Sequence, residues 1–352
     1  MTIHKYTISN DPDIYEAWPD LVLTDSGKLI CVFAECTHHT NRDYTRIMLC
    51  ESCDRGRTWS PKHPLTEGTK DLDYMYNCPR ITKLSDGRLV VTVDRTTQSE
   101  EDKDYDVNAM EVLMYFSSDD GKSWSQPVKT PQNGIVPDKL TELDNGRWLI
   151  SAHYHYQGKL TQFLHYSDDQ GKTWSERIMV AHDPELNLCE ASLLPLGNGT
   201  VLAFMRENSF KGFPCQYTVS TDNGETWGPV LNFPLPGCHR PTSGLLQNGD
   251  LLITYRYVPG AWGGWGYTMQ NLFAGLCTCS PSGTFTDPGQ IKTRILPVDY
   301  DRSPVADIGY SGWVQFPDGE IYIVSYLVDD AIDKAQIRGY SLNISDFILP
   351  GT

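Results

Sequence analysis

One short pattern recurs six times along the chain, as an alternating apolar segment, a tight turn ending in glycine, and a second apolar segment. The turns lie 50 to 70 residues apart and end at Gly27, Gly87, Gly146, Gly199, Gly249 and Gly319. Most of them read Asp-Gly or Asn-Gly, which supply the positive φ angles of a hairpin turn, and the flanking segments are rich in strand-forming residues. Six regularly spaced hairpins predict an all-β architecture of six similar sheets.

A second pattern, Ser-x-Asp-x-Gly-x-Thr/Ser-Trp, lies between the hairpins. Its four copies begin at Ser52, Ser117, Ser167 and Ser220. The Asp carboxylate can accept hydrogen bonds from nearby backbone N–H groups, the Gly can take the left-handed conformation, and the Trp can pack between strands. We therefore expect this turn to serve folding, not substrate binding.

The second pattern is the Asp-box of the sialidase (neuraminidase) superfamily, which the chain resembles over nearly its whole length. The resemblance implies a six-bladed β-propeller with four recognisable Asp-box turns, formed as a single domain by residues 1–352. The last blade of a propeller is usually completed by a strand from the other terminus, which leaves no long edge unpaired. We expect residues 4–9 to pair beside residues 335–342 in this way.

The charge of the chain excludes two classes of partner. Its formal net charge is −16, which argues against binding to nucleic acid or to an anionic membrane. The first residues show no secretory leader pattern and no apolar run has membrane-spanning length, so we expect a cytoplasmic protein with mostly reduced cysteines. The oligomeric state stays open.

Counting from the glycine turns locates a pocket. Nine residues before each turn glycine stand Trp18, Cys78, Pro137, Glu190, Arg240 and Tyr310, and seven residues after it stand Ala34, Asp94, His153, Arg206, Arg256 and Tyr326. Both sets fall around the axis at the face opposite the turns. Charged and phenolic side chains on inner strands are costly to bury unless they pair or line a wet cavity. We interpret them as a functional pocket; structural ion pairs in a solvated channel are the alternative.

Two segments of this set resemble the catalytic segments of sialidases. Glu190 and Arg206 flank one hairpin, like the sialidase Glu that begins one strand and the substrate-binding Arg that ends the next. Tyr310-Ser311 resembles the segment that carries the nucleophile of the superfamily. The resemblance implies a retaining mechanism in which Tyr310 attacks the anomeric carbon and Glu190 accepts its proton.

The remaining roles are assigned to arginines and to one loop carboxylate. Guanidinium groups bind carboxylates bidentately, so an anion clamp is expected from Arg80, Arg206, Arg240 and Arg256. The predicted substrate-binding set also contains Trp18, Asp138 and His153. In the superfamily an Asp after the first hairpin is the general acid, which implies Asp43 here, with Asp94 or Asp138 as alternatives, and an exposed loop carboxylate is the competing interpretation.

One difference from the superfamily leaves more than one substrate class to consider. Sialidases open their first blade with Tyr-Arg-Ile-Pro, and the Arg position falls on Ala17, so Arg80 is the predicted replacement. The first hypothesis is an exo-α-sialidase-like glycoside hydrolase that releases a terminal acidic sugar from a glycan without a cofactor or metal. The second is hydrolysis or elimination at a uronic acid, with His153 or Tyr310 as the base of an elimination. The third is a carbohydrate-binding propeller without catalysis.

Overall fold

A computed structural model describes residues 3–97, 110–259, 269–280, 283–329 and 334–348. The described residues form six antiparallel sheets, and these are the six blades of a β-propeller, so the predicted fold is confirmed. Within each blade neighbouring strands pair antiparallel, and in blades 1 to 5 they follow chain order from the inner strand outward.

The first three blades are built from consecutive strands. Blade 1 contains Tyr15–Leu23, Leu29–Cys36, Thr45–Ser52 and His63–Pro64. Blade 2 has a split inner strand, and its segments are Tyr74–Tyr76, Arg80–Lys83, Leu89–Thr97, Glu111–Ser117 and Val128–Lys129. Blade 3 contains Thr141–Glu142, Trp148–Tyr156, Lys159–Ser167 and Ile178–Ala181.

The last three blades follow the same plan. Blade 4 contains Leu188–Gly197, Thr200–Glu207, Gln216–Ser220 and Leu231–Asn232. Blade 5 contains Cys238–Leu245, Leu251–Tyr257, Asn271–Cys279 and Ile291–Tyr300, the last of them preceded by the 3₁₀ turn Pro288–Gln290. Blade 6 contains Ile308–Gln315, Ile321–Leu327 and Gln336–Leu342, and the 3₁₀ turn Ile344–Phe347 follows it.

The outermost strand of blade 6 comes from the start of the chain. His4–Ser9 pairs antiparallel with Gln336–Leu342, and Lys5 Nζ reaches the carboxylate of Asp299 in blade 5 at 2.5 Å. This pairing covers the edge that blade 6 would otherwise expose. No helix among the described residues is long and apolar enough to cross a membrane.

All four Asp-boxes form the expected self-bonded turn. In the first, Asp54 accepts from the backbone N–H of Thr58 at 2.9 Å and from its hydroxyl at 2.6 Å, while Ser52 Oγ accepts from Gly56 N at 2.8 Å. The hydrogen bonds from Thr58 contribute most to lowering the pKa of Asp54 to about 2. Arg55 donates to Asp318 in the hairpin turn of blade 6, so the boxes share a face with the glycine turns.

The inner strands carry a β-bulge at equivalent places in blades 1, 4, 5 and 6. The register shifts between Ala17 and Asp20, Cys189 and Ser192, His239 and Thr242, and Gly309 and Ser311. Each bulge contains one non-glycine residue with positive φ, namely Trp18 (56°), Glu190 (52°), Arg240 (50°) and Tyr310 (38°). A bulge bends the strand and re-aims a side chain, and strain of this kind concentrates at functional sites.

Candidate active site

A cavity of about 250 Å³ lies on the propeller axis beside these bulges. Glu190, Arg206 and Tyr310 line it together with Trp18 and His153, all members of the predicted site. Its lining also includes residues that the counting did not single out, chiefly His39, Arg42, Asn77 and Asn208.

Tyr310 and Glu190 are in hydrogen-bond contact inside this cavity. The Tyr310 hydroxyl donates to Glu190 Oε1, and Arg206 Nη1 donates to the same oxygen at 2.9 Å. The second oxygen, Glu190 Oε2, is buried and has no hydrogen-bond partner among the described residues. A buried carboxylate oxygen in a wet cavity is a site where a ligand or water completes the hydrogen bonding.

Glu190 and Tyr310 have opposite protonation states at neutral pH. Burial alone would raise the pKa of Glu190, but Arg206, the Tyr310 hydroxyl, His153 and Arg240 outweigh it and bring that pKa to about 2. Burial, reinforced by the Glu190 charge, raises the pKa of Tyr310 well above its usual value of 10. At neutral pH the site therefore holds an ionised acceptor against a neutral phenol.

His153 supports the backbone of Glu190. Its Nδ1 accepts from the Glu190 N–H at 3.2 Å, and burial lowers the pKa of His153 to about 4. The ring is therefore neutral at pH 7 and carries its proton on Nε2.

Arg42 brings a second guanidinium to the cavity, from the loop of blade 1. Its Nε donates to the His39 carbonyl at 3.1 Å, and its Nη1 donates to Asn77 Oδ1. The guanidinium carbon lies 4.3 Å from the centre of the Trp18 ring, a cation–π contact. Arg42 lies in a loop, so its position could not be predicted by counting along the strands. The sequence pointed to it only through its neighbour Asp43, the expected general acid.

His39 enters from the same loop and is held by a buried carboxylate. Its Nδ1 is hydrogen-bonded to Asp307, which also accepts from Tyr15 and Tyr326. Burial would raise the pKa of Asp307, and the His39 ring, Arg256 and Tyr15 outweigh it and hold that pKa well below the usual range. The sequence offered no signal for this pair, because its members are 268 residues apart.

Three of the predicted clamp arginines are buried and are not among the residues that line the cavity. Their guanidinium groups donate mainly to backbone carbonyls: Arg80 to Ser311 O at 3.2 Å, Arg240 to Ala191 O and Pro137 O at 3.2 Å, and Arg256 to Ile308 O at 2.5 Å. A bulge leaves carbonyls without a strand partner, and buried carbonyls require donors. Arg80 also pairs with Asp20, so the structure does not bring it to the place of the missing first-blade Arg.

The predicted acids are likewise outside the cavity. Asp43 is exposed. Asp138 is buried and accepts from Leu193 N at 2.6 Å, which ties blade 3 to blade 4. Asp94 accepts from Cys78 N and Val136 N. Among the described residues, Glu190 is the one carboxylate that lines the cavity.

The fold and this cavity define the class of protein as a sialidase-type propeller. The family model described as the BNR repeat-like domain matches residues 81–259, about half of the chain. The chain belongs to this family and, with it, to the sialidase superfamily.

Known proteins support the same class. A sialidase of Clostridium perfringens is 26% identical over 156 residues, which are 39% of this chain and 38% of that sialidase, so the match covers well under half of the relative's length. A protein of unknown function from Dyadobacter fermentans superposes with a TM-score of 0.76 at 20% identity, over 97% of this chain and 98% of the other. The intramolecular trans-sialidase of Ruminococcus gnavus superposes with a TM-score of 0.66 at 15% identity, over 95% of this chain and 96% of the other. These two structures share the fold.

Proposed function

We propose that the chain is a retaining glycoside hydrolase that releases a terminal anionic sugar from a glycan, with sialic acid as the first candidate. The observation that carries this proposal is the hydrogen bond from the Tyr310 hydroxyl to the Glu190 carboxylate within the axial cavity. A protein that only binds sugars has no need of a base beside a buried phenol.

The choice of a phenol as nucleophile follows from the charge of the substrate. Sialic acid carries a carboxylate on its anomeric carbon, which repels an anionic nucleophile and tolerates a neutral one. A phenol is a poor nucleophile while protonated, so a base must take its proton as the new bond forms. Glu190 is ionised and already accepts that proton in a hydrogen bond.

The charge of the cavity favours an anion. Among the described residues that line it, Arg42 and Arg206 face one carboxylate, that of Glu190, whereas the chain as a whole has a net charge of −16. Arg206 is the guanidinium expected from the superfamily, and Arg42 stacks on Trp18, the residue beside Ala17. We propose that Arg42 and Arg206 together bind the substrate carboxylate, in place of a clamp that uses the Arg missing at position 17.

The size of the cavity favours removal of one terminal residue. Its volume of about 250 Å³ falls slightly below the usual range of small-molecule sites, roughly 300–1,000 Å³. One sugar ring fills such a space, and the remainder of a glycan has to extend outside it.

The test is turnover of a fluorogenic α-sialoside by the parent protein and by Tyr310→Phe. The variant should lose at least about a thousandfold in kcat, because the nucleophile is removed. Tyr322→Phe is the matched control, since this buried tyrosine of the same blade donates to Gly56 O at the opposite face. Release by the parent that survives Tyr310→Phe would contradict the assigned nucleophile.

A second candidate function is elimination at a uronic acid. Ala17 in place of the superfamily Arg favours it. A base would remove the proton on C5, the C4–O bond would break toward the leaving oxygen, and a double bond conjugated with the carboxylate would form between C4 and C5. Ultraviolet absorbance of that product from a uronic-acid glycan, in the absence of sialoside turnover, would establish this reaction. Sugar binding that survives Tyr310→Phe, with no turnover of either glycan, would instead establish a binding propeller.

A further inference from the structure

The cavity pairs the base with the nucleophile, but its described lining contains no second carboxylate to protonate the leaving oxygen. Asp43, the residue expected in that role, is exposed on the loop of blade 1. His39, four positions earlier on the same loop, lines the cavity. Its side chain is 19% exposed, so its ring is largely enclosed and still accessible from the cavity.

Asp307 orients the His39 ring. A carboxylate at Nδ1 fixes the Nδ1–H tautomer of the neutral ring, and Nε2 is then the nitrogen that gains and loses a proton. The Trp18 and Tyr15 rings lie 5.4 Å and 6.1 Å from the ring centre, and Arg42 Nε donates to the His39 carbonyl. The ring is therefore held by contacts on several sides.

We propose that His39, positioned by Asp307, is the proton-transferring catalytic residue of this site. The inference rests on the proposed hydrolase function and deepens it by supplying the acid. Asp307 acts through His39 and is a positioning residue. No residue of this pair belonged to the catalytic set expected from the sequence.

The two half-reactions balance with these groups. In the first, the Tyr310 oxygen bonds to the anomeric carbon, Glu190 takes the phenolic proton, and the glycosidic C–O bond breaks as its oxygen takes the Nε2 proton of a His39 ring that starts protonated on both nitrogens. In the second, water attacks the anomeric carbon and gives its proton to His39 Nε2, while the bond to Tyr310 breaks and the phenolate recovers its proton from Glu190. His39, Glu190 and Tyr310 return to their starting states.

The experiment compares His39→Asn with the parent on glycosides of one sugar that differ only in the leaving group. An Asn amide can still donate to Asp307, but it has no counterpart of Nε2. A phenolic leaving group needs little protonation, so kcat/KM for a 4-methylumbelliferyl sialoside or glucuronide should fall less than about tenfold. For the alkyl glycoside of the same sugar, kcat/KM should fall by at least about a hundredfold, which is the usual contribution of general acid catalysis.

The control variant is His38→Asn, which changes the neighbouring histidine outside the cavity and should leave both substrates unaffected. Equal losses of His39→Asn on both leaving groups, or no loss on either, would overturn the assignment. Asp307→Asn should show the same dependence on the leaving group, which a loss of folding alone would not produce.

Nuclear magnetic resonance of protein labelled with ¹⁵N-histidine tests the His39–Asp307 pair without any substrate. The His39 signal, assigned by its loss in His39→Asn, should show the neutral ring protonated on Nδ1. A neutral ring that carries its proton on Nε2 in place of Nδ1 would overturn the proposal. If the parent releases no sugar from either glycoside, the proposed function fails, and the ring tautomer still decides whether His39 is built to exchange protons through Nε2.

Discussion

Arg42 and Arg206 face the same cavity but have different surroundings. Arg206 donates to the Glu190 carboxylate at 2.9 Å, so it stabilises the ionised form of the proposed base. Arg42 donates to a backbone carbonyl and to an amide side chain and stacks on Trp18. A substitution at Arg42 should therefore alter substrate binding while leaving the charge state of the Tyr310–Glu190 pair in place.

We expect Arg42→Ala to raise KM for an anionic glycoside by about 10- to 100-fold, with a smaller change in kcat, because a charge-assisted hydrogen bond to the substrate is lost. Arg42→Lys should recover part of that loss. Arg46→Ala, on the next strand and bonded to Thr66 O, is the control. Initial-rate kinetics on the anionic glycoside and on its neutral methyl ester would check this, and an equal effect on both substrates would contradict a role in binding the carboxylate.

At the scale of the element, each blade separates its folding device from its contribution to the site. The glycine turns of all blades and the Asp-boxes of blades 1 to 4 lie at one end of the strands, and the bulged residues of blades 1, 4, 5 and 6 lie at the other. In the first box Gly56 has φ +79°, and a Cβ there would lie 2.2 Å from a ring carbon of Tyr322. Gly27 has φ +84° and open space around a Cβ.

These two glycines allow backbone strain to be separated from packing. Gly27→Ala should cost about 1 kcal/mol of unfolding free energy, because only the left-handed backbone is penalised. Gly56→Ala should cost about 3 kcal/mol or more, since the ring of Tyr322 must also move. Urea unfolding of both variants would measure the difference, and equal costs would show that the box tolerates a methyl group at this contact.

The strands and hairpins were predictable from the sequence, and so was part of the cavity lining. The six turn glycines gave the hairpins, and counting from them placed Trp18, Glu190, Arg206 and Tyr310 at the cavity. The same counting placed Arg240 and Arg256 on the axis but could not give their depth, because the bulges shift the register and create carbonyls that recruit these side chains. His39, Arg42 and Asp43 lie on a loop, where spacing in sequence does not determine which side chain turns inward.

Several histidines of the propeller are buried, and burial favours their neutral form. Burial lowers the pKa of His153 to about 4, and it also lowers the pKa of His165 and, more strongly, of His239. Between pH 6.5 and about 4 the unfolded chain binds protons that the folded chain does not, so folding stability falls as the pH falls. Glu190, with its pKa lowered to about 2, contributes stability above about pH 4.5 that is lost only toward pH 2.

We therefore expect the free energy of unfolding to decrease from pH 7 to pH 5, with roughly 2 kcal/mol of that decrease due to His153. His153→Gln should remove this part of the pH dependence, although it lowers stability at pH 7. His63→Gln, at an exposed histidine, should leave the pH dependence unchanged. Urea unfolding at both pH values would check this, and an unchanged slope in His153→Gln would contradict the neutral buried ring.

The repeated bulge of the inner strands also bears on how a molecule of this kind can acquire a new substrate. Trp18, Glu190, Arg240 and Tyr310 occupy the same structural position in four blades, and the contacts that hold each sheet together lie farther along the strands. One position can therefore be exchanged while the other blades keep their geometry. Ala17 in place of an arginine, with a loop arginine stacked beside it, is the outcome expected when the chemistry of a pocket changes faster than the framework around it.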